Sequence, residues 1–297
     1  MHRSTLPLLL AGAGAAIAAL QVDFASPGEP LALLQLAIQM VKLTPSPASI
    51  KAAAKDVAFD VMSYYKGNQT GEILGLLGMP PPDGDYYWWH SAVLWSTMID
   101  YYRYTGDDTY NSLAVEGLTA QNGGRIDHPF MPANWTPSAG NDDQGFWGLA
   151  ALQAAEVGLP APPQGQPTWI ELARGVFDTQ AARYDEATCG GGLRWQILLT
   201  NAGYRYKNTP SNAVFLNLGA RLARYTGNQT YADWAEKTWT WLAATGLVDG
   251  ASNVFDGTMA DANCTTITKA QFSYSAAILL EAAAYMYNQV CLLPPLP

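Results

Sequence analysis

Apolar residues recur every three to four positions along most of the chain, which is the spacing of residues that share one face of an α-helix. Trp88, Ala92, Trp95 and Ile99 form one such stripe, and apolar residues between them leave little polar surface. A helix that is apolar over so much of its circumference is buried on two sides. The pattern predicts about eight helices after residue 48, and they lie at 49–67, 88–104, 110–121, 142–157, 168–184, 211–225, 231–245 and 269–288.

Two segments interrupt the helical pattern. The glycine run Gly190–Gly192 excludes a helix, and the residues after it alternate in polarity, so 189–197 is expected to be a short hairpin or loop. The stretch 254–257 is expected to be a short extended insert. Neither segment predicts enough strand to build a sheet, and we therefore expect an all-α fold.

A short sequence recurs between predicted helices. Residues 104–110 and 225–231 each join two apolar-periodic segments through Thr-Gly-Asp or Thr-Gly-Asn, and 64–70 is a third, looser copy. Glycine suits the end of one helix, and Asp or Asn suits the start of the next. So short a connection makes the two helices antiparallel neighbours. Repeated helical hairpins indicate an α-solenoid or a closed α/α toroid.

The two ends of the chain differ from this helical region. Residues 1–20 combine a charged start with a short apolar run, which is typical of a secretory signal peptide. Residues 21–47 form an irregular segment around an apolar run, and 291–297 form a Pro-rich, irregular tail. The tail has no lipid-anchor signal, so it does not support membrane anchoring. The main domain is expected to span 48–290.

Cysteine and asparagine usage fits the secretory pathway. The three cysteines allow at most one internal disulfide, and we favour Cys189 with Cys264, which leaves Cys291 as a thiol. Four Asn-x-Thr sequons predict N-glycosylation. They lie at Asn68, Asn134, Asn228 and Asn263. We expect an extracellular, cell-wall or cell-surface protein.

Composition narrows the possible ligands. The net charge is -9 with only 16 Lys and Arg, and the absence of any basic run argues against a nucleic-acid partner. The 10 Trp and 16 Tyr are typical of sugar-binding clefts, although such rings also pack in cores. Three His without metal-ligand spacing predict no metal site, and we expect no cofactor.

Adjacent carboxylates at Asp142 and Asp143 directly precede an apolar helical run. A pair of carboxylates is the usual equipment for cleaving a glycosidic bond, with one as proton donor and the other as nucleophile or base. The same pattern is also typical of a helix start, where Asn141 or Asp142 caps the helix and a second carboxylate favours its positive end. The spacing alone leaves both interpretations open.

Several motifs along 48–288, in order, resemble glycoside hydrolase family 76, the α-1,6-mannanase family, and in particular its fungal cell-wall branch. The motifs are Tyr86-Tyr87-Trp88-Trp89, Ile99-Asp100-Tyr101-Tyr102, Tyr104-Thr105-Gly106-Asp107, Gly140-Asn141-Asp142-Asp143-Gln144-Gly145-Phe146-Trp147, Cys189-Gly190-Gly191-Gly192-Leu193-Arg194-Trp195-Gln196, Tyr206-Lys207-Asn208, Ala220-Arg221-Leu222-Ala223-Arg224-Tyr225-Thr226-Gly227 and Lys269-Ala270-Gln271.

The resemblance implies a toroid of six helical hairpins and an endo-acting, configuration-retaining attack on α-1,6-linked mannan. It implies that Asp142 is the nucleophile and that Asp143 is the general acid/base. The fungal branch also implies a transglycosidase, which transfers a mannosylated, GPI-type glycan to a wall glucan acceptor. The cleft candidates are Trp88, Trp89, Gln144, Arg194, Trp195, Asp256 and Tyr274.

The sequence departs from the family pattern in three respects. His90 occupies a position where the family usually has an acidic or amide residue. Ser275 occupies a position where the family usually has Asn. The eight or so predicted helices also fall short of the twelve that six hairpins require, which suggests a toroid truncated at its C-terminal end or an error in the gene model. The alternative to a monomeric enzyme is therefore an inactive, truncated remnant that binds mannan.

Overall fold

The computed structural model describes residues 46–81 and 83–292. The predicted signal peptide, nearly all of the irregular segment 21–47 and most of the predicted tail lie outside these residues. The chain divides into two compact units, one ending at Tyr64 and the other starting at Tyr65. In the first unit, Ser46 caps helix α1 because its side chain accepts a hydrogen bond from the backbone N–H of Ser49.

Eight α-helices occur among the described residues, in agreement with the number that the apolar periodicity predicts. They are α1 (Pro47–Ser63), α2 (Trp88–Thr105), α3 (Asn111–Gln121), α4 (Asn141–Val157), α5 (Trp169–Ala182), α6 (Thr209–Thr226), α7 (Gln229–Ala244) and α8 (Ser273–Leu292). A short 3-10 helix, Ala202–Arg205, precedes α6. Helix α8 extends two residues into the tail that was expected to be irregular.

The helices of the second unit form two rows. Helices α2, α4, α6 and α8 make an inner row, in which each packs on the next. Helices α3, α5 and α7 make an outer row, in which each packs on the inner helix that precedes it in the chain. This alternation of inner and outer helices is the arrangement of an α/α toroid, and it confirms the predicted all-α fold class.

Helix α6 lies at the centre of the packing because it contacts α4, α5, α7 and α8. Every residue from Thr209 to Ala223 is buried, so its polar side chains need partners inside the protein. Arg221 pairs with Glu156 of α4 at 2.6 Å and with Glu281 of α8 at 3.3 Å. These ion pairs tie three neighbouring inner helices together.

Two of the three predicted helical hairpins are present. Gly106 and Gly227 end α2 and α6 in the left-handed conformation, with φ of 79° and 71°, and Asn228 caps α7 by accepting from Thr230. The third hairpin, at 64–70, was wrong, because α1 ends at Ser63. Gly67 has no positive φ; a Cβ there would lie 2.6 Å from the carbonyl oxygen of Ile73.

The expectation that the chain builds no sheet was also wrong. Strands β1 (Tyr206–Asn208), β2 (Gly257–Met259) and β3 (Ile267–Thr268) form a small antiparallel sheet in the order β1-β2-β3. Strands of two or three residues are too short to show an alternating pattern, and so the sequence did not reveal them. The segment 189–197 is a loop, as expected, with one isolated bridge between Gly140 and Gln196.

A disulfide joins Cys189 to Cys264, the pair that the sequence analysis favoured. The fully buried ammonium of Lys207 stabilises the glycine loop around Cys189. It donates to the carbonyl oxygens of Asp185, Thr188 and Gly191 at 2.6–2.8 Å. Burial lowers the pKa of Lys207 to about 8, although Asp185 opposes this shift. The loop therefore has a covalent and an ionic anchor.

Candidate active site

One end of the inner row forms a cleft of about 620 Å³. Each inner helix contributes its N-terminal region, represented by Trp89 of α2, Asp142 of α4, Pro210 of α6 and Tyr274 of α8. The last turns of α2, α4 and α6 line a separate cavity, so the inner helices run parallel. Each helix N-terminus carries a partial positive charge, and the cleft floor therefore favours anionic groups.

Asp142 lies in the first turn of α4 and is held by two donors. Its Oδ1 accepts from the backbone N–H of Asp143 at 3.0 Å, and its Oδ2 accepts from the side-chain amide of Asn208 at 2.8 Å. Burial raises the pKa of Asp142, and the bond from Asn208 opposes the rise. The carboxylate is therefore fixed in orientation while it lines the cleft.

Asp143 follows on the same turn and also lines the cleft. Its Oδ2 accepts from the backbone N–H of Gly140 at 2.7 Å, which caps the start of α4. Burial raises the pKa of Asp143, and the neighbouring charge of Asp142 raises it further. The two carboxyls thus titrate as a coupled pair in which Asp143 holds its proton more tightly.

The wall beside the pair comes from the loop 194–197. The backbone N–H of Asn141 donates to the carbonyl of Trp195 at 2.8 Å, and the side-chain amide of Asn141 donates to the carbonyl of Arg194 at 2.8 Å. These bonds join the loop to the start of α4 and bring the Trp195 ring, which is 39% exposed, to the cleft.

Aromatic rings from α2, α4 and α8 also line the cleft. Trp89 stacks on Phe146 and on Tyr274, with ring centroids 5.0 Å and 6.2 Å apart. Tyr274 lines the same cleft as the carboxylate pair, and burial and the charge of Asp142 raise its pKa. Trp88 also borders the cleft but is only 6% exposed, because its indole N–H donates to Gln121 and its ring stacks on Trp147.

A third carboxylate, Asp256, enters the cleft beside the small sheet. Its Oδ2 accepts from the hydroxyl of Tyr206 at 2.7 Å, and burial raises the pKa of that hydroxyl. Tyr206 therefore stays protonated and orients Asp256 toward the cleft. The described residues contain no group of three or more His, Cys, Asp or Glu that could hold a metal ion.

The family model described as glycosyl hydrolase family 76 matches residues 49–290. The chain belongs to this family. Its curated relatives in family 76 include the mannan endo-1,6-alpha-mannosidase DCW1 of Candida glabrata, at 44% identity over 81% of this chain and 53% of the relative. Another is the mannan endo-1,6-alpha-mannosidase DFG5 of Saccharomyces cerevisiae, at 42% identity over 82% of this chain and 52% of the relative.

Solved structures of the family share the fold. Dfg5 from Chaetomium thermophilum, in complex with glucosamine, is 51% identical and superposes with a TM-score of 0.79 over 83% of this chain and 60% of that chain. An inactive variant of the alpha-1,6-mannanase GH76A from Salegentibacter sp. HEL1_6, in complex with alpha-1,6-mannotriose, is 19% identical with a TM-score of 0.63, over 81% of this chain and 65% of that chain. The chain spans about half the length of the curated relatives it matches.

Two of the family-based cleft candidates lie elsewhere. Gln144 is fully buried, and its amide donates to the carbonyl of Pro129; position 144 falls on the inward face of α4, one residue past the pair. Arg194 turns away from the cleft, pairs with Asp185 at 2.6 Å and lies over the ring of Tyr204. Neither residue is among those that line the cleft.

The two residues that depart from the family pattern have different environments. His90 accepts the backbone N–H of Tyr87 at 3.1 Å and packs 4.1 Å from the ring of Trp89, so it caps the start of α2. Burial lowers its pKa. Ser275 follows Tyr274 in the chain, and its side chain is buried, with an exposure of 1%.

Asn208 is the site residue that sequence reasoning missed. It occurs in a motif of the family resemblance, but no spacing relates it to Asp142, which lies 66 residues earlier. Strand β1 ends at Asn208, whose side chain also accepts from the backbone N–H of Ser211 and so caps α6. One amide therefore joins the start of α6 to the carboxylate at the start of α4.

Proposed function

We propose that the protein is an endo-acting, retaining α-1,6-mannosidase or a transglycosidase that acts on mannan. The observation that carries this proposal is the pair Asp142 and Asp143 on the cleft floor, with pKa values raised to different extents. Pairs of carboxyls whose environments separate their pKa values have separate acid and base roles. The names of the curated relatives, mannan endo-1,6-alpha-mannosidases, support mannan as the substrate.

In this proposal Asp142 is the nucleophile. The amide of Asn208 and the backbone N–H of Asp143 stabilise its anionic form, and the N-terminus of α4 adds a positive partial charge. A carboxylate oxygen of Asp142 attacks the anomeric carbon, and the glycosidic bond breaks with its electron pair on the leaving oxygen. The sugar is then esterified to Asp142.

Asp143 serves as the acid and then as the base. Its higher pKa keeps it protonated while Asp142 is ionised, so it donates a proton to the leaving oxygen as the bond breaks. In the second step Asp143 removes a proton from water or from a sugar hydroxyl, which attacks the anomeric carbon and frees Asp142. Water gives hydrolysis, whereas a glucan hydroxyl gives transglycosylation.

Sugar rings would bind on the aromatic surfaces of the cleft. Trp89, Trp195 and Tyr274 present rings with apolar faces, which suit the apolar faces of pyranoses. Asp256, oriented by Tyr206, supplies an acceptor for sugar hydroxyls. Mannan or a mannosylated, GPI-type glycan is the proposed donor, and wall glucan is the proposed acceptor for transfer.

The test is incubation of the purified protein with α-1,6-mannooligosaccharides, with and without a glucan acceptor, followed by mass spectrometry of the products. Wild type should cleave or transfer, and Asp142→Asn should lose activity by at least about 10³-fold because the nucleophile is removed. Asp143→Asn should keep a slow first step on substrates with good leaving groups, since only protonation is lost.

Asp249→Asn is the matched control, because Asp249 contacts Ala251 and Asn253 outside the cleft. It should retain wild-type activity. The enzyme proposal is wrong if wild type and Asp142→Asn both bind the oligosaccharides but neither cleaves nor transfers them. The protein would then be a mannan-binding protein.

We also propose that the protein works as a monomer in the secretory pathway and at the cell surface or cell wall. The four predicted glycosylation sites are exposed, which is compatible with modification: Asn68, Asn134, Asn228 and Asn263. No helix in the described part of the chain is long and apolar enough to cross a membrane. Mass spectrometry of the protein before and after removal of N-glycans would test the secretory route.

A further inference from the structure

A second polar cavity, of about 390 Å³, lies behind the cleft wall. We call it the arginine cavity; its lining includes Asn141, Arg183, Asp185, Arg194, Gln196 and Tyr204. Gln196 lines both this cavity and the cleft. The loop that carries Trp195 therefore separates the two spaces. None of the charged side chains of the arginine cavity takes part in the proposed glycosidase chemistry.

Arg183 is a largely buried cation whose hydrogen bonds go to neutral groups. It follows the last residue of α5, and its guanidinium donates to the side-chain oxygens of Asn141, at 2.9 Å, and Gln144. No carboxylate of the described residues pairs with it. Burial lowers the pKa of Arg183 to about 10, which is still high enough to keep the side chain charged at neutral pH.

The rest of the cavity does not balance this charge. Asp185 is the acidic residue in the lining, and it already pairs with Arg194 at 2.6 Å and with Lys207 at 3.3 Å. Burial alone would raise the pKa of Asp185, but the bond from Thr188 and the two cations lower it to about 2. Arg194 and Lys207 therefore already share this carboxylate, and Arg183 pairs with no carboxylate of the described residues.

The cavity therefore has a local excess of positive charge, although the net charge of the whole chain is -9. A buried charge without an opposite charge is costly, and it is normally paired. The C-terminal carbonyl groups of α5 offset only about half a charge. An anion in the cavity would complete the balance, and a planar guanidinium binds phosphate or carboxylate oxygens well.

We propose that the arginine cavity binds an anion of the phosphate class, held by Arg183 and Arg194 with Gln196 as a neutral donor. A volume of about 390 Å³ admits inorganic phosphate and also a phosphate monoester of a sugar. The site is independent of the proposed glycosidase activity, and its test requires no turnover.

The experiment is isothermal titration calorimetry of the full chain with inorganic phosphate at constant ionic strength. At pH 7 phosphate carries between one and two negative charges. Wild type should show saturable binding, and Arg183→Gln should bind at least about tenfold more weakly because a charge-assisted bond is lost. Arg183→Lys keeps the charge but loses the planar guanidinium, so its affinity should lie between those of wild type and Arg183→Gln. Parallel titrations with glucose 6-phosphate and glucose separate the two sources of the phosphate group.

Tighter binding of glucose 6-phosphate than of phosphate assigns the cavity to a phosphorylated sugar, and equal binding assigns it to free phosphate. Equal binding of unphosphorylated glucose would overturn the proposal. The matched control is Arg205→Gln, since Arg205 is exposed and contacts Asp261 outside the cavity. It should bind phosphate as wild type does.

Arg183→Gln also weakens the contacts to Asn141 and Gln144, and a second variant separates folding from binding. Ile197→Glu adds a carboxylate to the lining and leaves all bonds of Arg183 in place. It should abolish phosphate binding by repulsion. The proposal fails if wild type shows no saturable phosphate binding, or if Ile197→Glu binds phosphate as wild type does.

Discussion

At the scale of single residues, the backbone at Gly140 touches the carboxylates of the site. Its φ of -86° is open to any residue, so backbone freedom does not explain the glycine. A Cβ at this position would lie 2.3 Å from Oδ1 of Asp142 and 3.2 Å from the ring of Trp195. Glycine is required here because the carboxylate of Asp142 occupies the space of a side chain.

Gly140→Ala should therefore displace Asp142 while the protein stays folded. A displacement of about 1 Å at a catalytic group can reduce the rate by about 100-fold, and we expect a loss of that order in kcat on α-1,6-mannooligosaccharides. The matched control is Gly250→Ala, because a Cβ there meets nothing within 4 Å. Wild-type kcat in Gly140→Ala would contradict the close approach.

Asn208 affects the pKa of Asp142 as well as its orientation. The hydrogen bond from Asn208 lowers the pKa of Asp142, so its removal in Asn208→Ala should raise that pKa. The acid limb of the pH profile of kcat/KM should then move to higher pH, by about one unit for a bond to a charged group. Activity is lost from the low-pH side because more Asp142 is protonated.

The control for this profile is Asn253→Ala, which removes an equivalent amide donor to a carboxylate, Asp249, outside the cleft. Its pH profile should match that of wild type. An acid limb of Asn208→Ala that stays in place would show that the bond contributes to orientation alone.

At the scale of elements, the sequence located all eight α-helices of the residues that the structure describes but misjudged some of the connections between them. Periodicity and end signals are local properties, so they predicted α4 and α6 to within two residues. The same signals at 64–70 suggested a hairpin that does not exist. Glycine occurs at position 67 because a Cβ there would clash with the backbone, and in the sequence alone such a glycine looks the same as one that ends a helix. The short strands had no local signal at all.

The turn between α6 and α7 provides a test at this scale. Gly227 has φ of 71°, and a Cβ there would meet nothing within 4 Å, so the cost of Gly227→Ala is conformational alone. The left-handed region costs an L-residue roughly 1–2 kcal/mol, and the free energy of unfolding measured in urea should fall by that amount. Gly250→Ala, which is free of both constraints, should change stability by less than about 0.5 kcal/mol. Equal stability of the two variants would contradict a hairpin ended by a left-handed glycine.

At the scale of the whole second unit, the disulfide spans much of the structure that forms the cleft. Cys189 and Cys264 lie 75 residues apart, and the segment between them contains α6, α7 and the strands β1 and β2. Closing a loop of this length restricts the unfolded chain more than the folded one. The bond therefore stabilises the fold of the segment that contains Asn208 and Trp195.

Replacing both cysteines with Ser should lower the free energy of unfolding by roughly 4 kcal/mol, measured by urea denaturation. Wild type in a reducing agent should approach the same value, and the double variant should not respond to that agent. Equal stability of wild type with and without reducing agent would contradict a stabilising role for this disulfide.

Local periodicity, glycine positions and paired acidic residues were enough to predict an all-α protein of helical hairpins with Asp142 and Asp143 at the start of one helix. These features depend on neighbours within a few positions along the chain. The environment of the pair depends on packing between distant segments. The amide of Asn208 reaches Asp142 from 66 residues away, α4 turns Gln144 into the core, and Arg194 pairs behind the wall with Asp185. Burial and long-range contacts set the pKa values of the two carboxyls, because both arise only when the helices assemble.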